Sequence, residues 1–140
     1  MNTVDVLKAL ADETRLRMVN LLFEAGDLCS CEVETVLGIN QSNASRHLSR
    51  LKAAGVLIAE KRGLWVHFRP SAASNVGTLV RSALELARAD VPALDHDLER
   101  LKDYRSSGHT CATIAQWAAS TVYAPERYRS PKQVMVQQGV

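Results

Sequence analysis

Apolar residues recur along this chain at helical spacing in several short runs, interrupted once by a stretch of strand-like pattern. Val4, Leu7, Leu10 and Ala11 fall on one helical face, and Asp12 then stands where an N-cap opens a second helix. That helix sets Leu16, Val19, Leu22 and Phe23 on one side and ends at Gly26, since glycine takes the left-handed conformation that commonly closes a helix. After a turn from Asp27 to Ser30, Val33, Val36 and Leu37 mark a third short helix stopped by Gly38, and Asn40 caps a fourth. In the fourth, Ala44, Leu48 and Leu51 point inward, leaving Gln41, Ser42, Asn43, Ser45, Arg46 and Arg50 to face out until Gly55. Two helices joined by the tight Gly38–Asn40 turn predict a helix-turn-helix.

From Val56 the pattern changes to Leu57–Glu60, then Lys61-Arg62-Gly63, then Leu64–Phe68, which predicts two strands around a glycine turn. Helical spacing returns with Val76, Leu79, Val80, Ala83, Leu84 and Ala87, and Pro92 kinks this helix or opens another containing Leu94, Leu98 and Leu101. Apolar stripes of that length predict dimer packing. Beyond about Tyr104 the chain turns to Ser, Gly, Gln and Pro, including Pro125 and Pro131, with one apolar segment from Cys111 to Val122. The expected division is a DNA-binding and dimerisation domain over residues 1–104 and a partly disordered tail over residues 105–140. The fold class expected is mainly α with a β-hairpin wing (α+β), a homodimeric winged helix-turn-helix.

Composition narrows the class. A chain of 140 residues, 46% hydrophobic and 23% charged, has the balance of one globular domain. No apolar run reaches the roughly 18 residues of a membrane span, and Met1 to Ala11 lacks the pattern of a secretory leader, so a cytoplasmic protein without membrane contact is expected. The overall charge of +2 is uninformative, but Arg46, Arg50, Lys52, Lys61, Arg62 and Arg69 face only Glu60 within residues 41–70, leaving the remainder acidic. Such a concentration matches the footprint of a protein that neutralises phosphates. Lys61 and Arg62 would position the protein on the DNA backbone, while Gln41, Ser42, Asn43, Ser45, Arg46 and Arg50 are available to the groove, where amide and guanidinium groups match adenine and guanine edges. His47 is within reach of a phosphate, although a lone histidine in an amphipathic helix is more often structural. Trp65 is read as hairpin packing and Trp117 as an anchor of the tail.

Three cysteines, Cys29, Cys31 and Cys111, make an odd count, and the first two are too close together for a structural staple. Free thiols or metal ligands are expected. Two thiols one residue apart at a helix start can converge on one soft ion, and the positive helix end favours thiolate. Catalysis is not expected: the chain has no phosphate-cradling glycine loop and no Cys-Xaa-Xaa-Cys on a βαβ pattern, which leaves a cysteine-based reductase as a remote alternative.

Taken in order, Leu10–Arg17, Gln41–Leu48, Ala54–Leu57 and Gly63–Phe68 resemble the ArsR/SmtB family of repressors over about residues 3 to 90. The resemblance implies a homodimer joined by its first and last helices, bound to inverted-repeat double-stranded operator DNA until a metal or metalloid binds. Asp27–Val33 is similar to the motif from which arsenical repressors and some cadmium or lead sensors draw thiolates. The implied inducer is As(III), or Sb(III), held by Cys29 and Cys31. Trivalent arsenic takes three sulfurs in a pyramid, yet position 34, where many arsenical repressors carry a third cysteine, is glutamate. Cys111 supplies the third sulfur if the tail folds back onto either protomer; otherwise it packs with Ile114 and Trp117, and His109 serves a borderline metal. Zinc sensors of the family draw Asp and His from the helix after the wing, where this chain has Ala72, Ser74, Glu85 and Arg88. His96-Asp97-Leu98-Glu99 is read as a solvated face. Cd(II) or Pb(II) sensing, or a thiol-redox switch at Cys29 and Cys31, are the alternatives within the same fold.

Overall fold

The structure is a computed structural model that describes residues 2–120. The rest of the expected tail, with Pro125 and Pro131, lies outside the described residues. Helix α1 spans Thr3–Leu10 and α2 spans Glu13–Ala25; a short strand β1, Leu28–Cys29, leads into α3, Ser30–Leu37, and α4, Gln41–Ala53. Strands β2, Leu57–Arg62, and β3, Trp65–Pro70, precede α5, Ser74–Ala87, α6, Ala93–Ser106, and α7, Ile114–Ser120. The chain is a winged helix-turn-helix, mostly helical with a small antiparallel hairpin.

Local chemistry accounts for most of these boundaries. Asp12 accepts from the Arg15 amide and Asn40 from the Asn43 amide, so each short polar side chain satisfies an orphan N–H at its helix start. Gly38, at φ 70°, ends α3 in the left-handed region that a side chain would strain. The turn that follows is therefore short, which fixes α4 against α3. Val36 and Leu37 of α3, with Leu48 and Leu51 of α4, are almost wholly buried around α2, whose Met18, Val19, Leu21 and Leu22 form the centre of the core. Helix α6 packs along α2 and buries Leu94 and Leu101.

The structure departs from the sequence pattern at three places. Helix α1 buries Val6, Ala9 and Leu10, while Val4 and Leu7 remain 55% and 47% exposed. Apolar residues lie on both sides of this helix, so spacing alone does not tell its core face from its outer one. The Asp27–Ser30 segment is not a free turn: β1 pairs antiparallel with β3, Leu28 opposite Phe68 and Cys29 opposite His67, giving sheet order β1-β3-β2. His96–Glu99 is a solvated face only in part: Glu99 is exposed, but Asp97 is fully buried and takes both Arg17 Nε and Nη2 at 2.8 and 2.9 Å. Buried carboxylates persist where a guanidinium pairs with them bidentately.

The expected boundary at residue 104 falls within α6. Beyond it, α7 folds back onto α3 and buries Ile114 and Trp117. Trp117 stacks edge-on to Tyr104, lies under the Arg100 guanidinium and donates Nε1–H to Asp103, all on α6. No helix among the described residues is long and apolar enough to cross a membrane.

Candidate metal centre and nucleic-acid interface

The return of α7 brings Cys111 to the start of α3. The sulfurs of Cys29, Cys31 and Cys111 of one chain all lie within 4.8 Å of one another. Cys29 is fully buried, as N-cap of α3 and member of β1, while Cys31 and Cys111 are partly exposed. Cys29 and Cys111 are joined as a disulfide with Cα atoms 6.8 Å apart, and the free Cys31 Sγ sits 2.7 Å from Cys29 Sγ. Of the expected free thiols or metal ligands, Cys29 and Cys111 are thus paired here, and the pairing uses Cys111 rather than joining Cys29 to Cys31. Residues 30 and 31 sit in a helical turn that keeps Cys31 beside its neighbour, whereas Cys111 arrives from across the fold.

Glu32 organises the cluster. Its Oε1 accepts the Cys29 backbone N–H at 2.9 Å, the reach-back half of a capping box, and lies 3.2 Å from Cys111 Sγ. That second contact is a hydrogen bond when Cys111 is a thiol. Oε2 accepts the Tyr104 hydroxyl at 2.6 Å, tying α6 to the same carboxylate. Burial and the Glu32 charge push the Tyr104 phenol far up, so it remains a donor. Cys31 is likewise pushed up, by burial first and then by the Glu32 and Glu34 carboxylates. The expected preference of the helix start for thiolate is therefore reversed at Cys31, because desolvation and adjacent acids outweigh the helix end. His109 lies outside the cluster and shares its Nδ1 with Thr113 Oγ1 at 2.9 Å.

The second surface is the outer side of α4. Gln41, Ser42, Ser45, Arg46 and Arg50 are exposed and Asn43 is half-buried. Arg46 Nη2 donates to Asn43 Oδ1 at 2.7 Å, which holds the two groups side by side. His47 turns the other way: it is 8% exposed, and its Nδ1 lies 3.1 Å from Arg15 Nη1, so it reads as a structural histidine rather than a phosphate contact. On the wing, Lys61 is exposed, while Arg62 is folded back onto Asp27 at 2.9 Å and Glu60 at 3.2 Å. Trp65 sits near the wing tip at 38% exposure, more open than hairpin packing implies.

Three of the groups that shape these surfaces escape sequence reasoning. Glu32 has a local signal, an acid three residues after an N-cap, although cysteine is an unusual cap. Tyr104 and Asp27 have none, since their partners lie 72 and 40 residues away and depend on the docking of α6 and of β1.

Residues 12–59 match the family model described as bacterial regulatory protein, arsR family. The chain is 36% identical over 111 residues to the arsenical resistance operon repressor of Escherichia coli strain K12, covering 78% of this chain and 95% of the relative. Among solved structures, the homodimeric winged helix-turn-helix DNA-binding domain Mb0332 of Mycobacterium bovis is similar, with 30% identity and a TM-score of 0.55 over 63% of this chain and 80% of that one. The AntR antimony-specific transcriptional repressor gives 29% identity and a TM-score of 0.54 over 61% and 77%.

Proposed function

Because this chain belongs to the arsR family, as a transcriptional repressor of the arsenical and metal resistance type and not an enzyme, we propose that it is a homodimeric cytoplasmic repressor released from operator DNA by As(III). The observation that carries this reading is the convergence of Cys29, Cys31 and Cys111 of one chain on a single point. The relative from Escherichia coli is an arsenical repressor and the structural neighbour AntR is antimony-specific, which supports a trivalent metalloid, while a cadmium resistance regulator of Staphylococcus aureus is also similar, 35% identical over 68 residues.

The chemistry suits the site. Once the Cys29–Cys111 pair is reduced, three thiols displace three hydroxyls of arsenous acid, each hydroxyl leaving as water with the thiol proton, so no net proton is released. A divalent cation instead expels the protons of the thiols it binds, and the raised Cys31 thiol opposes that step. Sb(III) undergoes the same exchange. Residues 1–104 supply DNA binding and dimerisation, and residues 105–140 carry Cys111 to the site. Gln41, Ser42, Asn43, Ser45, Arg46 and Arg50 read the operator, with Lys61 and Arg62 on phosphates and His47 supporting α4 from behind.

X-ray absorption on the reduced protein titrated with arsenite tests this: three sulfurs about arsenic are expected, falling to two in Cys111→Ser. Cys29→Ser and Cys31→Ser should still repress yet no longer leave the operator in arsenite, as read by fluorescence anisotropy. Release of both variants at the wild-type arsenite concentration would place the sensor elsewhere.

One observation favours a second reading, a thiol-redox switch: Cys29 and Cys111 are joined as a disulfide. An oxidant of the small-disulfide class would make this bond, the two protein thiols being oxidised as the reagent is reduced to two thiols. Operator release by oxidised glutathione but not by arsenite would select it.

A further inference from the structure

The wing and the thiol site are connected by a cluster that belongs to neither. Asp27 lies two residues before Cys29, and the backbone between them is held by β1, where Leu28 faces Phe68 and Cys29 faces His67 of the wing strand β3. The Asp27 carboxylate spans the same junction through its side chain. Its Oδ1 accepts from His67 Nδ1 at 2.6 Å and its Oδ2 from Arg62 Nη2 at 2.9 Å. Arg62 is one of the wing cations expected on a DNA phosphate, yet here it is shared between Asp27 and Glu60. Arg69 also donates to Glu60, at 2.7 Å, while Lys61 is exposed.

We propose that Asp27 is the positioning residue through which the thiol site acts on the wing: its carboxylate competes with operator phosphate for Arg62, and the state of Cys29 sets how firmly it competes. The inference rests on the reading that Cys29 binds the inducer. An atom bonded to Cys29 fixes the residue that ends β1, and with it the two-residue span to Asp27, because backbone pairing to His67 leaves that segment little freedom. Arg62 then stays on Asp27 and one phosphate contact is withdrawn. In the absence of inducer the exposed pair, with Arg62 and Asp27 side chains 44% and 34% accessible, is weak enough for a phosphate to displace it. This route to the DNA is separate from the turn between α3 and α4, and it acts on the backbone contacts of the wing rather than on base reading by α4.

Two substitutions separate the elements of the idea. Asp27→Asn keeps the shape but removes the charge that holds Arg62, so the free protein should bind operator about two- to fivefold more tightly, the factor to which an exposed ion pair of ordinary strength corresponds. With arsenite bound, the slope of log affinity against log salt should steepen by about 0.9, the increment for the one phosphate contact that Arg62 regains, while without arsenite it should stay near the wild-type slope. Arsenite affinity of the DNA-free protein should stay at the wild-type value, while the ratio of operator affinities without and with arsenite should shrink. Glu60→Gln also loosens Arg62 but leaves in place the Asp27 carboxylate, two residues from Cys29, so it should tighten operator binding and leave that ratio unchanged. These quantities are read by anisotropy across a salt series, with and without arsenite, on the full chain. A wild-type ratio in Asp27→Asn, an equal loss of ratio in Glu60→Gln, or weaker operator binding in Asp27→Asn would each overturn the proposal. If arsenite fails to release even the wild-type protein, the arsenic reading fails instead.

Discussion

His47 shows how a residue on the recognition helix serves the fold. Burial pushes its imidazolium below the usual histidine range; Asp12 opposes that shift, and Arg15 and Arg46 reinforce it. The unfolded chain takes up this proton near the ordinary value of about 6.5, the folded chain only at lower pH. Between those values the unfolded state binds more protons, so this contribution to stability is complete above about pH 6.5 and is lost as pH falls below it. His47→Gln should therefore lose less stability than the wild type between about pH 7.5 and 5.5, as measured by urea unfolding at each pH. An equal loss in both proteins would remove His47 from the account. At this scale the sequence discloses chemistry only where neighbours in the chain cooperate. Cys29 and Cys31 are legible because one helix start holds both, and the outward set of α4 because helical spacing separates it from Ala44, Leu48 and Leu51. The inward turn of His47 is not, since Arg15, its hydrogen-bonding partner, lies 32 residues earlier.

Among the elements, α3 is held by α2, α4, α6, α7, β1 and β3. Its last carbonyls have no partner within the helix, and side chains from two other helices supply them: Arg17 Nη2 donates to Leu37 O at 2.9 Å and Arg100 Nε to Val36 O at 2.8 Å. Arg17 also pairs with the fully buried Asp97, so a single side chain joins α2, α3 and α6. Arg17→Leu removes the bidentate partner of that buried carboxylate, leaving it the weaker influence of Arg100 and His96, and should cost up to about 3–5 kcal/mol, the usual penalty for breaking a buried pair from one side. Thermal and urea unfolding of the variant measure this, and a change below about 1 kcal/mol would mean that Asp97 escapes to water. Helix α4, so positioned, should separate reading from attachment. Arg46→Ala should lower operator affinity and selectivity together, by about 1–3 kcal/mol for the correct site, whereas Lys61→Ala should weaken binding to all sequences and reduce the salt slope by about 1. Identical salt slopes in the two variants would contradict this division. Helices α2, α3 and α4 were readable from their caps and glycines, α1, α5 and α6 from apolar spacing, and the hairpin from its glycine turn, whereas α7 falls within the expected tail. Strand β1 was not, because two residues carry no period, and the docking of α7 depends on Tyr104, Arg100 and Asp103 rather than on its own sequence.

For the whole molecule, the question is which functions need two chains. Val4 and Leu7 on α1 and Leu86 on α5, the last 78% exposed, leave apolar surface open on the first and last helices of the stretch, about residues 3 to 90, over which the family resemblance implies a dimer. An operator built as an inverted repeat is read by a protein with matching two-fold symmetry, so the affinity of a dimer draws on two recognition helices at once. The thiol site differs, because Cys29, Cys31 and Cys111 converge within one chain and α7 returns to its own α3. Assembly and sensing should therefore come apart on mutation. Leu86→Glu places a charge on the proposed dimer face without touching the core, since this side chain is exposed in the single chain. The variant should sediment as a monomer at micromolar concentration and lose most of its operator affinity. Its arsenic should nevertheless keep three sulfur neighbours by X-ray absorption, with one arsenic bound per chain as expected of the wild-type protein. A drop to two sulfurs on monomerisation would mean that the third thiol comes from the partner and that the fold-back of Cys111 onto its own chain does not describe the working repressor.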